Sequence, residues 1–329
     1  MYTIRLKNNK SFKCDKDSTI FEAAKRNSIT LDHSCLSARC RTCIVEVKEG
    51  FTKNKLDDLV LSEDEKQQNL VLACNAIPTS NISLNIEDLG DIVLHEKKII
   101  PAKIQLLEYL NQDTIKLILR FPPSLNFKFN SGQYVNLIRS GMKRSYSLAT
   151  LYKENFFLVF FIKNYEGGLM SDFWFNKAKV NDLIRIEGPF GSFFLRETIK
   201  ENIILLATGT GIAPIKSIIE DIENSNKVFC NKKFYLFVGA RFEKDLLWSP
   251  GLLNKIDLEY IPVLSRPEAN WSGEKGYVQN AVFNKNIDLS NAQVYACGSN
   301  EMIKSAKDLL ITKSLPENEF FSDAFICTK

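Results

Sequence analysis

The chain has 329 residues, too many for one ordinary core, and this length points to two or three domains. Hydrophobic residues make up 45% and charged residues 25%, the balance of a folded, soluble chain. A net charge of +4, with no lysine block or arginine-rich helix, is no basis for nucleic-acid or membrane-surface binding.

Tyr2, Ile4 and Leu6 alternate with polar residues and predict a strand. Phe12 and Cys14 fall on the return strand of a hairpin that turns at Asn8-Asn9. This start lacks the apolar core of a signal peptide and no apolar run approaches a membrane span, so a cytoplasmic location is expected. Thr19 with Glu22, and Ser62 with Glu65, each read as a capping box that opens a helix. Ile82, Leu84 and Ile86 alternate again, and the charged stretch from Glu87 to Lys98, with Gly90 inside it, reads as a linker. These elements predict a small α+β domain over residues 1–90.

Strand-like runs follow at Ile115 to Phe121, Tyr134 to Ile138, Phe156 to Ile162 and Leu183 to Ile186. Turn residues at Asn130-Ser131-Gly132 and Gly188-Pro189 punctuate them, and a helix is predicted after Gly167-Gly168. The pattern predicts an antiparallel β-barrel domain over residues 98–198. From there the pattern changes to strands alternating with helices. Ile203 to Ala207 is a buried strand type, a periodic helix runs from Ile212 to Ile222, and Phe234 to Val238 and Gln293 to Ala296 repeat the strand pattern. Residues 199–329 are therefore expected to form an α/β domain whose parallel sheet binds ligands at the carboxyl ends of its strands.

Eight cysteines in a chain without a secretion signal are poorly explained by disulfides. Cys35, Cys40 and Cys43 fit C-x4-C-x2-C, with Cys74 as the distant fourth thiol. Four thiolates at this spacing suit a plant-type [2Fe-2S] cluster, because close cysteines in one loop let backbone amides point at sulfur. Zinc sites usually draw on two paired hairpins instead. Cys14 reads as core, while Cys230, Cys297 and Cys327 are scattered; His33 and His95 have no metal-ligand company and read as solvated or structural.

On these motifs residues 1 to about 88 resemble plant-type ferredoxins, which implies a β-grasp fold for the first domain. Ala38 and Arg41 stand where that family usually has glycine, which leaves the loop backbone open. The module's acidic and basic residues balance, unlike free-standing plant ferredoxins. Arg39 and Arg41 then either dock on an acidic partner or offset the cluster's charge.

Arg144-Ser145-Tyr146-Ser147, following Gly132-Gln133-Tyr134, resembles the ferredoxin-NADP reductase superfamily. The resemblance implies that Arg144 pairs with the FAD pyrophosphate, Tyr146 packs on the isoalloxazine and Ser147 bonds near flavin N5, with Ser145 in the same cofactor-binding strand. Gly167-Gly168-Leu169-Met170-Ser171 opens a helix and would cradle the same pyrophosphate. Gly209-Thr210-Gly211 resembles the superfamily's nicotinamide loop, although Pro214 replaces the third glycine of the usual dinucleotide fingerprint. Cys297-Gly298-Ser299 is similar to the strand end beside the nicotinamide; the alternative for Cys297 is a buried structural thiol. NADH is the expected donor, with Arg241 and Arg266 near strand ends leaving NADPH open.

Over nearly its whole length the chain resembles the CDP-6-deoxy-glucoseen reductases of bacterial dideoxysugar synthesis. Arg144 to Ser147, Ile186 to Phe194, Val294 to Ser299 and the ending Phe320 to Phe325 carry the likeness. It implies that Phe325 covers the flavin, with a core phenylalanine as the alternative. It also implies electron flow from NADH through FAD and [2Fe-2S] to an iron-sulfur dehydrase using pyridoxamine phosphate, for reduction at C3 of a CDP-sugar. The alternatives are the reductase component of an oxygenase and a flavin and iron-sulfur sensor without turnover.

Overall fold

A computed structural model describes residues 1–57, 60–90, 92, 94–151, 156–225, 229 and 231–324. Phe325, Cys230 and Cys327 lie outside the described residues. The chain divides into two compact units, Met1–Val93 and Leu94–Lys329.

The first unit runs β1 (Tyr2–Arg5), β2 (Ser11–Cys14), α1 (Ile20–Arg26), β3 (Ile44–Glu49), β4 (Thr52–Asn54), α2 (Glu63–Gln67), β5 (Leu70–Leu72), β6 (Ala76–Pro78) and β7 (Ile82–Leu84). Its main sheet has the order β2-β1-β7-β3-β5, with β1 parallel to β7, and β4 pairs separately with β6. The hairpin turn passes through Asn9 at φ 64°, a left-handed conformation that asparagine tolerates. Both capping boxes form. Thr19 Oγ1 accepts from Glu22 N at 3.2 Å while Glu22 Oε2 accepts from Thr19 N at 2.9 Å, and Ser62 and Glu65 repeat the exchange. Ile4, Leu6, Phe12 and Cys14, on one face of the hairpin, bury against Ile20, Ala23 and Ala24 of α1.

The second unit opens with six antiparallel strands: β8 (Lys98–Tyr109), β9 (Thr114–Arg120), β10 (Tyr134–Arg139), β11 (Met142–Ser147), β12 (Phe157–Lys163) and β13 (Leu183–Phe190). Their order is β11-β10-β13-β8-β9-β12, and they curl around one aromatic-rich core. The end strands β11 and β12 share no ladder among the described residues, so this is a half-barrel; Ala149 N, just past β11, donates to Val159 O at 2.8 Å. Between β12 and β13 lie α3 (Leu169–Asp172) and a wider turn at Phe173–Lys177. One expectation is corrected here. Gly188-Pro189 does not end a strand, because β13 continues to Phe190, with Gly188 paired to Lys98 and Phe190 to Tyr134. The register between β13 and β10 shifts here, with one extra residue on β13 between Glu187 and Phe190.

The remainder alternates as read from its periodicity: β14 (Asn202–Thr208), α4 (Ile212–Asn224), β15 (Lys233–Ala240), β16 (Asp257–Leu264), β17 (Glu274–Lys275), α5 (Val278–Asn284), β18 (Ala292–Gly298), α6 (Asn300–Thr312) and β19 (Phe320–Ala324). The sheet is parallel, in the order β17-β16-β15-β14-β18-β19, with apolar layers on both faces. Central strands buried on both sides explain the continuous apolar runs at Ile203–Ala207 and Phe234–Val238.

Candidate functional site

Cys35, Cys40 and Cys43 lie on the loop between α1 and β3, and Cys74 lies between β5 and β6. The amides of Ser37, Arg39 and Cys40 donate to Cys35 Sγ at 3.4, 3.4 and 3.3 Å, and Cys35 N donates to Cys40 Sγ at 3.3 Å. Cys43 Sγ is 3.3 Å from Cys74 Sγ. A hydrogen bond from Cys40, working against burial and with help from the Ser37 and Arg39 amides, pulls the Cys35 thiol down to about 4. Cys74 is lowered chiefly by Cys43 in the same way, while the thiols of Cys40 and Cys43 are raised. Within each pair the two thiols are thus driven apart, one lowered and the other raised.

Among the described residues no three ligand side chains converge on a single ion. Two thiol pairs, one per iron, with amides aimed at sulfur, fit a [2Fe-2S] cluster rather than one tetrahedral zinc. The loop reaches this shape through left-handed Leu36, Ala38 and Arg41, at φ 52°, 56° and 66°. The positions where glycine was expected therefore take the glycine-like backbone without glycine. Of the two loop arginines, Arg41 is engaged internally, donating to Val60 O and Glu65. His33 is structural: it is buried, with Nδ1 2.9 Å from Leu31 O and its ring 4.8 Å from that of Phe21.

In the second unit β11 carries Arg144 to Ser147 in register with Leu137, Asn136, Val135 and Tyr134 of β10. Tyr146 packs on the barrel core, and its hydroxyl accepts from Trp174 Nε1 at 3.0 Å. Burial pushes this phenol up to about 12, so it stays neutral. Arg144 is exposed, held by one bond from Nη1 to Lys143 O at 2.8 Å. Ser145 is turned to an internal network: its Oγ donates to Asn136 Oδ1 at 2.8 Å, and Asn136 Nδ2 donates to Glu187 at 3.0 Å. Ser147 is buried. The α3 turn packs against β11. Gly167 is left-handed at φ 72°, and helix geometry leaves the N–H groups of Leu169, Met170 and Ser171 without intrahelical acceptors. Leu169 is exposed and the Met170 side chain is core, so at these positions only the backbone can serve an anion. Ser171 Oγ instead accepts from Tyr165 N at 3.0 Å.

Glu187 was not singled out by sequence reasoning. It is buried and takes ion pairs from Lys97 and Lys143 besides the Asn136 bond. Burial alone would raise its pKa, but the bonds from Lys143, Lys97 and Asn136 outweigh it and hold the carboxyl at about 2. A carboxylate depressed in the folded state stabilises above its unfolded pKa, and the contribution is lost as pH falls through the folded value. Glu187→Gln is therefore expected to cost roughly 1–3 kcal/mol near neutral pH. Denaturant titrations of parent and variant should converge as pH falls from 4.5, the ordinary value, toward about 2. A gap that persists unchanged at pH 2 would contradict this account.

The third constellation lies where β14, β15 and β18 end. A Cβ on Gly211 would sit 2.1 Å from Cys297 O, and one on Gly298 would sit 2.1 Å from Thr208 Oγ1. One on Gly239 would meet Thr208 Cγ2 at 2.9 Å. Glycine thus allows close packing among these strand ends at the carboxyl edge of the sheet, where folds of this kind bind nucleotides. Gly209 takes φ 54° in the turn into α4, and Thr210 lies in the same turn. Ser299 caps α6 by accepting from Met302 N at 3.2 Å. Helix α4 is latched to the segment following β11, with Lys216 Nζ donating to Ala149 O at 2.9 Å and Ser217 Oγ to Thr150 O at 2.6 Å. The Arg144–Ser147 strand and the Gly209–Gly211 turn thereby belong to one supported framework.

The Cys297 side chain is fully buried, and burial, then Asp323, pushes its thiol well up. Asp323 is the Cα partner of Cys297 across β18 and β19 and is also buried. Sequence reasoning missed it. The available signal was a carboxylate inside a terminal strand with Phe320, Phe321 and Ala324.

Three family models match: a 2Fe-2S iron-sulfur cluster binding domain over residues 4–79, an oxidoreductase FAD-binding domain over 101–195 and an oxidoreductase NAD-binding domain over 205–308. The chain is 34% identical to the CDP-6-deoxy-L-threo-D-glycero-4-hexulose-3-dehydrase reductase of Yersinia pestis, over 97% of this chain and 96% of that protein. It is 29% identical to the phenol hydroxylase P5 protein of Acinetobacter pittii, over 95% and 90% of the two chains. Among solved structures the Amycolatopsis cytochrome P450 reductase GcoB superposes with a TM-score of 0.71 over 99% of each chain, at 22% identity, which speaks for the fold alone. The cofactor set is FAD, a nicotinamide nucleotide and a [2Fe-2S] cluster, and the activity is NAD(P)H-dependent electron transfer. A sensor without turnover is set aside.

Proposed function

The chain belongs to the family of CDP-6-deoxy-L-threo-D-glycero-4-hexulose-3-dehydrase reductases, and from that premise we propose that its electrons pass to an iron-sulfur dehydrase using pyridoxamine phosphate. The reaction served is removal of the C3 hydroxyl of a CDP-linked 4-keto-6-deoxy sugar, in 3,6-dideoxysugar synthesis. The supporting observation is identity of 34% along essentially the whole length of both proteins. The same reading places the protein in the cytoplasm, where NADH is regenerated. The test is anaerobic NADH consumption with such a dehydrase and CDP-4-keto-6-deoxyglucose. Consumption that needs all three components and yields a 3-deoxy sugar is expected; reduction of the protein's own cofactors with no sugar reduced would overturn it. The second reading, the reductase component of an oxygenase, has the 29% identity to the phenol hydroxylase protein in its favour and would then take first place.

FAD, when bound, would supply the conversion from paired to single electrons, and a [2Fe-2S] cluster would supply a single-electron carrier. The chain's part is placement. Arg144 and the amides of Leu169, Met170 and Ser171 suit the FAD pyrophosphate, since a planar guanidinium and a helix start both favour phosphate. Tyr146, neutral and braced by Trp174, offers a flat face to the isoalloxazine, with Ser147 near its N5. Ser145 belongs to this site through its bond to Asn136, as a brace for the strand. Gly209, Thr210, Gly211, Gly298 and Ser299 line the nicotinamide side, where Cys297 and Asp323 close the floor. Phe325 is proposed as the aromatic cover of the flavin. Hydride transfer needs no general acid or base, and none is assigned.

Arg241 and Arg266 stand at the ends of β15 and β16, joined by a bond from Arg266 N to Arg241 O at 2.9 Å, and both side chains are exposed. A phosphate at the adenosine ribose would meet them. Arg266→Ala is expected to leave KM for NADH within about twofold and to raise KM for NADPH roughly tenfold. Equal effects on both coenzymes in parallel steady-state assays would contradict that placement.

A further inference from the structure

Glycine enters the left-handed region freely, whereas a side chain disfavours it, so Arg41 at φ 66° is an unfavourable residue for its backbone. The structure shows what its side chain does there. Nη1 donates to Val60 O at 2.8 Å and to Glu65 Oε2 at 3.3 Å, while Nη2 donates to Glu65 Oε1. Glu65 is itself fixed, with Oε2 accepting from Ser62 N at 2.8 Å and from Ser62 Oγ at 3.1 Å in the capping box of α2. Val60 packs on the core that contains Cys43 and Leu61, as does Ala38 of the cluster loop. The guanidinium fork therefore joins the segment between Cys40 and Cys43 to a capped helix start and to a core-anchored carbonyl. A fork with acceptors on both arms sets orientation as well as distance.

We infer that Arg41 and Glu65 form a clamp that holds the cluster loop in shape and keeps the Ser37, Arg39 and Cys40 amides on sulfur, in place of a glycine that would only permit that shape. Both are positioning residues and act through the loop backbone. The inference rests on Cys35, Cys40, Cys43 and Cys74 holding the [2Fe-2S] cluster.

The test is the rate at which a strong chelator strips iron from the anaerobic holoprotein, read as loss of cluster absorbance, alongside EPR of the dithionite-reduced protein. A parent protein without a [2Fe-2S] signal would overturn the cluster assignment, and the clamp with it. Arg41→Gly removes the fork and relieves the backbone. Glu65→Gln removes the charge but keeps the capping box, which glutamine also completes. Ser62→Ala removes the Ser62 Oγ bonds of the cap but leaves Ser62 N on Glu65 Oε2 and both arms of the Arg41 fork in place. Iron loss is expected to quicken about tenfold in R41G and in E65Q, as for other residues that orient metal ligands. The double variant should be no faster than either, because both substitutions break one interaction. S62A should stay within about twofold of the parent. The clamp is overturned if R41G keeps its iron as long as the parent, if the two effects multiply, or if S62A loses iron as fast as E65Q.

Discussion

Cys74→Ala is expected to abolish the EPR signal of the reduced cluster and to slow electron delivery to a one-electron protein acceptor on the order of 100-fold or more. The same variant should reduce ferricyanide with NADH at a rate within about threefold of the parent. The contrast follows from where Cys74 lies. It is the one proposed cluster thiol outside the Cys35–Cys43 loop, seated between β5 and β6 at 3.3 Å from Cys43 Sγ. Removing it leaves one iron a ligand short while the fold of the flavin and nicotinamide unit, with its own cores, is untouched. A small oxidant takes electrons at the flavin; a protein acceptor takes them from the cluster. Undiminished delivery to the protein acceptor would mean that the cluster is not on the route.

Gly211→Ala is the second large effect. The new methyl group would lie 2.1 Å from Cys297 O and 2.6 Å from Cys297 C, both backbone atoms that no rotamer change can move. The turn must therefore back away from β18. Overpacking of this kind costs about 1–3 kcal/mol, and KM for NADH should rise roughly tenfold because the turn proposed to hold the nicotinamide nucleotide is displaced. Gly251→Ala is the control, since nothing lies within 4 Å of its Cβ. Thermal melts and steady-state kinetics of the two variants check this. A G211A protein with the parent's stability and KM would show that the close approach has no consequence.

What was legible in the sequence was local. A capping box is read from residues three apart, and Thr19–Glu22 and Ser62–Glu65 close as their spacing suggests. Period-two alternation marked β1 and β2, because side chains on a half-buried strand alternate whatever its partner, and short β-forming runs marked β9 and β12. The four thiols proposed as cluster ligands stand out in the sequence because three of them share one loop. Where the sequence misled, distant partners decided. Gly188-Pro189 reads as a turn, yet β8 and β10 keep the chain extended through it. Glu187 and Asp323 received no role of their own from the sequence, because their partners, the lysines at 97 and 143 and the ladder beside Cys297, are distant in the chain. Arg41 read as a departure from a glycine pattern; its partner is twenty-four residues away, on an element with no sequence signal pointing back.

The most direct test of the electron route is anaerobic rapid mixing of the holoprotein with NADH, following flavin absorbance and freeze-quenched EPR of the cluster. Flavin absorbance is expected to fall first, with the reduced-cluster signal then growing at the flavin's expense. A flavin that bleaches fully while the cluster stays oxidised would contradict that route.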